Sequence, residues 1–304
     1  MIKFTKMEGL GNDYVYIDCT KNDIENKSEI AKSISDRHFG VGSDGLILIK
    51  NSKDCDFRMQ MFNSDGTEAE MCGNGIRCVG KYVYDKGLTE KKKLKIETLA
   101  GTKILELNVK DGKVSTVRVD MGEPILEGKD IPAKSGKTFK SKDGIKFYKV
   151  NIEIEDELKE LTCISMGNPH GIDFVASAEK LNIEKYGPII EKDNHFPNKV
   201  NAEFIEIIDK NNIKMRVWER GSGETLACGT GACASAVASF LNGYTERKVN
   251  VELLGGNLQI EWNEENNHVY MTGPAKIVFE GEIELWLKLM KTLKTCKTVT
   301  FFLQ

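Results

Sequence analysis

The sequence predicts an α/β fold, of the α+β kind, in which strands outnumber helices and the second half repeats the first. Three observations carry this: many short runs of alternating apolar residues, four segments with helical spacing, and a set of residues that recurs at one offset. At 304 residues the chain holds about two domains, each large enough for its own core. Apolar residues make up 40% and charged residues 29%, which excludes a disordered, collagenous or membrane-embedded chain. The net charge of −3 gives no electrostatic footing for nucleic acid or an anionic membrane, so neither is expected as a partner. Met1–Lys6 contains no apolar run, so no signal peptide or membrane span is expected there. Eight cysteines in such a chain read as reduced thiols, and the expected location is the cytoplasm.

Taken in order, alternation marks strands at 14–17, 46–49, 57–62, 103–109 and 114–121. The second half follows with 148–154, 172–175, 203–208, 213–218, 249–253 and 258–262. Helical spacing appears at 28–37, 76–86, 183–191 and 231–242. The last segment is rich in alanine, which suits a helix packed closely on all sides. Six prolines and no Ser/Gly-rich run argue against a long linker, and 127–146 reads as a surface excursion between the halves.

The repeat is the informative feature. Cys72-Gly73-Asn74-Gly75 is echoed by Cys228-Gly229-Thr230-Gly231, with the leading cysteines 156 positions apart (228 − 72). Gly11-Asn12 and Gly167-Asn168 share this offset, as do Glu68 and Glu224. Three pairs at one spacing across half the chain indicate a duplicated domain with matched sites.

Each Cys-Gly-x-Gly follows a strand and precedes a helix, so its cysteine is expected at a helix N-terminus, among unpaired N–H groups at the positive end of the dipole. That position lowers a thiol pKa from about 8.5 and predicts a thiolate near neutral pH. The glycines let the backbone approach a ligand, and the same N–H groups would hold a carboxylate or phosphate. Two such loops facing one another put a thiol on each side of a small acid. A pair with one thiol ionised and one protonated removes a proton from one face of a carbon and returns one to the other. The carboxylate-binding N–H groups would stabilise the carbanion-like transition state.

No lysine occurs between Lys53 and Lys81 or between Lys214 and Lys248, so neither loop offers a pyridoxal Schiff base or a P-loop lysine. No cofactor is expected. Arg58, Arg77, Arg216 and Arg220 fall inside these lysine-free stretches, where their planar forks are expected to grip carboxylate. The cysteine spacing offers no zinc pattern, and no metal is expected.

Further motifs stand in order along the chain: Gly9-Leu10-Gly11-Asn12-Asp13, Phe62-Asn63-Ser64-Asp65-Gly66, Met71-Cys72-Gly73-Asn74-Gly75, Gly167-Asn168-Pro169-His170, Val200-Asn201, Glu219-Arg220-Gly221-Ser222-Gly223-Glu224-Thr225 and Ala227-Cys228-Gly229-Thr230-Gly231. Together they resemble the diaminopimelate epimerases, cofactor-independent enzymes that interconvert LL- and meso-diaminopimelate in lysine and peptidoglycan precursor synthesis. The resemblance implies two pseudo-symmetric domains, each a highly curved sheet around a central helix, with the active site in the cleft between them. It places an N-terminal domain at 1–122, completed by a returning strand at 274–284, and a C-terminal domain at 123–273. It leaves 285–304 as an extension of unknown role.

By the same resemblance, Cys72 and Cys228 are the catalytic pair, Cys72 acting on the LL isomer and Cys228 on the meso isomer. Gly73, Asn74, Gly229 and Thr230 would bind the carboxylate at the reacting centre. Asn12, Asn63, Asn168, Asn201 and Arg220 would fix the rest of the substrate. Glu219 would meet the ammonium and, with His170, tune the thiols. Some members of the family carry a glutamine at the position of Gly45. The family implies a homodimer with Tyr270 at its interface.

Set against these roles, Cys78 and Cys233 lie on the helices that follow and read as core, while Cys19, Cys55, Cys163 and Cys296 have no spacing partners and read as structural. Glu68 and Glu224 read as first-turn helix acids responding to the dipole. Two other functions fit the paired cysteines: a related racemase or isomerase, proline-racemase-like or phenazine-biosynthesis-like, and more distantly a thiol–disulfide redox protein.

Overall fold

The computed structural model describes residues 1–284, and the extension at 285–304 lies outside the described residues. The first half runs β1 (Ile2–Gly9), β2 (Asn12–Asp18), α1 (Lys27–Ser35), β3 (Gly45–Lys50), β4 (Phe57–Asn63), β5 (Glu68–Ala69), α2 (Gly73–Asp85), β6 (Lys93–Thr98), β7 (Gly101–Lys110) and β8 (Lys113–Asp120). Two strands follow, β9 (Lys137–Lys140) and β10 (Lys146–Ile154). The second half runs β11 (Glu157–Ser165), β12 (Pro169–Phe174), α3 (Ile183–Glu191), β13 (Asn201–Asp209), β14 (Asn212–Glu219), β15 (Gly223–Glu224), α4 (Gly229–Leu241), β16 (Lys248–Leu253), β17 (Gly256–Trp262), β18 (Val269–Pro274) and β19 (Lys276–Ile283).

The two halves pair their strands in the same way. In the first, β1 is antiparallel to β2, β2 parallel to β3, β3 antiparallel to β4, and β4 parallel to β6, which continues into the β6–β7–β8 meander. In the second, β11 is antiparallel to β12, β12 parallel to β13, β13 antiparallel to β14, and β14 parallel to β16, which continues into β16–β17–β18. An outer strand covers each leading edge: β19 lies antiparallel on β1, and β10 on β11. The halves join where β8 pairs with β18, Asp120 opposite Tyr270.

Each sheet bends around one helix. α2 packs on β1, β2, β7 and β8, and α4 on β11–β14 and β16–β18. The parallel strand β3 is buried on both faces, so it reads as a continuous apolar run, Leu46-Ile47-Leu48-Ile49. Ile47 and Ile49 face the core around α2, whereas Leu46 and Leu48 meet Ile30, Ala31 and Ile34 of α1. Burying each such side chain is worth about 1.5–3 kcal/mol. β13 repeats the pattern, with Ala202 and Phe204 in the core beside α3, Ile205 toward α4, and Glu203 buried between them in the sequence.

α4 has alanine at 232, 234, 236 and 238, and only Thr230 and Phe240 of its residues are not buried. Small side chains let seven strands close over it. Both central helices end alike: Gly87 and Gly243 take left-handed φ values of 70° and 79°, and the next N–H reaches back to a carbonyl in the last turn, Leu88 to Val83 and Tyr244 to Ser239.

The segment 127–146 is more than a surface excursion, because Ile131 and Ala133 are buried in the core beneath α3 and β9 pairs with β10. β5 and β15 hold Glu68 and Glu224, which corrects their reading as helix acids. Each instead takes a partner on the neighbouring strand, Gln60 Nε2 donating to Glu68 at 2.9 Å and Arg216 gripping Glu224 at 2.6 and 3.0 Å. Gln60 and Arg216 are themselves matched positions of the repeat.

Candidate active site

Cys72 and Cys228 are the N-cap residues of α2 and α4, both extended, with φ/ψ of −131°/121° and −117°/110°. The helices meet N-terminus to N-terminus. A Cβ on Gly73 would lie 3.8 Å from the Cα of Gly229, and one on Gly229 would lie 3.7 Å from the Cα of Gly73. Met271 of β18 backs both glycines, its Cε 3.1 Å from the first built Cβ and its Sδ 3.1 Å from the second. A Cβ at either position would press on Met271 and fill the space up to the opposite helix end. Asn74 Nδ2 ties the junction by donating to the carbonyl of Ala227 at 3.1 Å. Two positive helix ends therefore converge on one place, and a cavity of about 1010 Å³ opens there with both cysteines in its wall.

In the first half, the Cys72 thiol donates to Asn12 Oδ1 at 3.2 Å and its sulfur accepts from the Gly75 N–H at 3.4 Å. Asn12 is fixed in turn by donating to Asp44 at 2.7 Å. Arg37 clamps Asp44 and Asp13 at 2.9 and 2.8 Å. Burial would raise the Asp13 carboxyl, but Arg37 and Lys6 hold it below the usual range. Burial pushes the Cys72 thiol above its ordinary value, opposed by the N–H groups of Gly75 and Asn74, the Tyr14 hydroxyl and the Arg77 guanidinium.

In the second half, the Cys228 sulfur lies 3.5 Å from Thr230 Oγ1. Burial pushes this thiol well above its ordinary value, and the carboxylates of Glu219 and Glu203 push it further. Thr225 donates to Glu219 at 2.5 Å. His170 is fully buried, with Nδ1 2.6 Å from Glu203 Oε1 and Nε2 3.0 Å from Asn168 Oδ1. The expectation that the helix ends would lower both thiols is thus overturned, because burial raises both. Removing a small anion from water outweighs the dipole of a single helix terminus.

Of the residues singled out in the sequence, Asn12, Asn63, Cys72, Gly73, Asn74, Glu219, Cys228 and Gly229 line the cavity together. Thr230 touches Cys228, and Asn168 and His170 form the chain of contacts to Glu203. Asn201 is buried with its amide engaged at both ends, donating to the Pro169 carbonyl at 3.1 Å and accepting the Arg220 N–H at 2.9 Å. Arg220 is exposed, its guanidinium on the carbonyl of Asn198 at 2.9 Å.

The other three arginines stand outside the cavity wall: Arg58 pairs with Glu97, Arg216 with Glu224, and Arg77 is wholly buried. Arg37 stands in the cavity wall instead. A Cβ at Gly45 would lie 2.1 Å from the Phe62 carbonyl oxygen, so no side chain fits there without a shift of the backbone. Sequence reasoning also passed over Tyr14, Asp44 and Glu203. Reading each residue against the one 156 positions away would have flagged two of them, since Tyr14 aligns with His170 and Ile47 with Glu203. Tyr270 lies under the Arg118 guanidinium, 3.6 Å from ring centre to Cζ. Among the described residues no helix is long and apolar enough to cross a membrane.

A duplicated fold that brings two cysteine-capped helix ends to one cavity is the arrangement expected of an isomerase of the racemase and epimerase type. The chain belongs to the diaminopimelate epimerase family, whose model matches residues 4–127 and 162–278. It is 59% identical over 284 residues to the diaminopimelate epimerase of Acetivibrio thermocellus, covering 93% of this chain and 99% of that one. It is 58% identical to the diaminopimelate epimerase of Methanococcus maripaludis strain C5, covering 93% and 100%. Among solved structures, a Bacillus anthracis phenazine biosynthesis protein of the PhzF family superposes with a TM-score of 0.69 at 19% identity, covering 93% and 99%. A probable proline racemase from Agrobacterium radiobacter K84 does so with a TM-score of 0.63 at 14% identity, covering 95% of each chain. These two share the fold.

Proposed function

We propose that this protein interconverts LL- and meso-diaminopimelate by a two-base thiol/thiolate mechanism, in the cytoplasm, for lysine and peptidoglycan precursor synthesis. The observation that carries the mechanism is the head-to-head contact of Gly73 and Gly229 with Cys72 and Cys228 in the wall of the same cavity. The substrate α-carboxylate would sit against both helix ends, held by N–H groups of Gly73, Asn74, Gly229 and Thr230. Negative charge that develops as the α-proton leaves would be stabilised by the same groups. Cys72 would take the proton from the LL isomer while Cys228 supplies one to the opposite face, and the roles would exchange for the meso isomer.

Glu219 would meet the ammonium at the reacting centre and, with His170, tune the thiols. Asn12, Asn63, Asn168 and Arg220 would hold the remaining amino-acid end, with Asn201 acting through Arg220, whose N–H it already binds. A homodimer through the Tyr270 face is part of the same reading, and sedimentation of a single 34.0 kDa species would refute it.

The substrate is tested by incubating the purified protein, under reducing conditions and without added cofactor, with LL-diaminopimelate and separately with L-proline. Conversion of the first alone is expected. Racemisation of proline alone would favour the proline-racemase-like alternative, and no isomerisation of either would favour the redox one.

A further inference from the structure

The pseudo-symmetry of the site breaks at two buried, charged positions. Cβ atoms built on Gly75 and Gly231, matched residues one turn into the two helices, meet different neighbours at the same spot. The first meets Ile47 Cδ1 at 2.8 Å, and the second meets Glu203 Oε1 at 2.7 Å. Glu203 is fully buried, and while Oε1 meets His170, Oε2 has no hydrogen-bond partner. Two residues further on, α2 carries Arg77 where α4 carries Cys233.

Arg77 is also fully buried. Its Nη1 donates back to the Gly73 carbonyl at 3.2 Å, its Nε donates to the Pro274 carbonyl at 3.1 Å, and Nη2 has no partner. Among the described residues no carboxylate pairs with it. A buried guanidinium without a counter-ion and a buried carboxylate with an open oxygen are both costly to keep. Here each stands beneath one of the two reacting thiols.

We propose that Arg77 and Glu203 make the two thiols inequivalent, so that in the unliganded enzyme the single negative charge of the pair rests on Cys72 and the proton on Cys228. This inference rests on the two-thiol reading above. Neither residue lines the cavity, so both are positioning residues that act through the cysteines. Of the remaining groups, Tyr14, Gly75 and Asn74 lower the Cys72 thiol and Glu219 raises that of Cys228, while Thr230 and the Gly231 N–H partly offset the rise at Cys228. Cys72 faces the Tyr14 hydroxyl from β2 and the Gly75 and Asn74 N–H groups of α2. Cys228 faces Glu219 from β14 and Glu203 from β13, with His170 of β12 behind Glu203 and Thr230 of α4 beside it.

Two equivalent thiols would share both steps of a coupled titration and show the same profile. Opposite buried charges separate the steps and widen the pH range in which one thiol is base and the other acid. The reaction equilibrium fixes the ratio of kcat/KM in the two directions, so the bias sets the working pH range and not a preferred product.

The test is alkylation of the intact enzyme by iodoacetamide from pH 6 to pH 11, with each cysteine followed by peptide mass spectrometry. In the wild type the Cys72 profile should rise at lower pH than that of Cys228, with at least about tenfold faster labelling at pH 8, the separation of one pKa unit. Glu203→Gln should move the Cys228 profile to lower pH, and Arg77→Met should move the Cys72 profile to higher pH. Profile midpoints report ionisation, whereas differences in access change only amplitudes. A wild type in which Cys228 labels first, or a Glu203→Gln variant whose Cys228 profile stays put or moves up, would overturn the proposal. Glu203→Gln is isosteric and decides the matter even if Arg77→Met does not fold. Epimerase activity is assayed on the same samples. A wild type with separated profiles and no activity on diaminopimelate would sink the substrate reading alone.

Discussion

In the first half of the molecule the face of β3 that supports the central helix carries Ile47, and the helix carries Arg77; in the second half the same places carry Glu203 and Cys233. Strand order and the cysteine that opens each central helix are otherwise matched, down to the glycines that end α2 and α4. The comparison separates what the duplication keeps from what it changes. It keeps the helix end, the cysteine and the glycines, which any symmetric proton-transfer site needs twice. It changes the buried charge beside each thiol, which an acid–base pair needs to differ.

The largest effect should come from the matched elements. Cys72→Ala and Cys228→Ala should each lower epimerisation by about 10³-fold or more, since each removes one of two required proton-transfer groups. Full turnover by either variant, measured by chiral separation of the isomers, would mean that the halves are not both used. Next in size, Gly73→Val and Gly229→Val should each cost about 10²-fold in kcat, because the added side chain presses on Met271 and crowds the helix ends that would cradle the carboxylate. Unequal losses would show that one helix end carries most of the binding, and equal retention would remove the cradle from the account.

The smallest effect should come from the second cysteines of the two motifs. Burial pushes the thiols of Cys78 and Cys233 up to about 12, so they stay protonated in the core. Cys78→Ala and Cys233→Ala should leave kcat/KM within about twofold and lower stability by about 1 kcal/mol, read from denaturant unfolding. A large loss of activity in either would mean that the thiols of the pair had been misassigned.

Much of this was legible in the sequence because it repeats. The offset of 156 located both cysteines, and the same shift maps α1 onto α3 and α2 onto α4 residue for residue. Several of the strands that escaped detection have an interrupted apolar pattern, although β6 alternates cleanly. β1 buries Thr5 and Lys6 among its apolar residues, Lys6 reaching Asp13 and the Gly42 carbonyl. β11 opens on Glu157-Leu158-Lys159-Glu160, and β18 ends on Gly273-Pro274 before β19 resumes. In each, position in the middle of a sheet overrides local composition.

The burial of Arg77 and Glu203 was hidden for another reason. A lone arginine near a glycine-rich loop reads as an anion grip, and a glutamate in an apolar strand reads as an outward position. Only the paired backbones show them to be buried beneath the two thiols. The raised thiols were hidden likewise, since a helix N-terminus is visible in sequence and the degree of burial is not.

The claim that most needs testing is that two groups on opposite sides of one carbon share the proton transfer. The direct measurement is epimerisation of LL-diaminopimelate in D₂O, stopped at a few per cent conversion, with deuterium at the α-carbon counted separately in product and in remaining substrate. The account predicts a fully labelled product beside an unlabelled substrate, because the group that removes the proton is not the one that delivers its replacement. Unlabelled product, or substrate that exchanges faster than product forms, would contradict it.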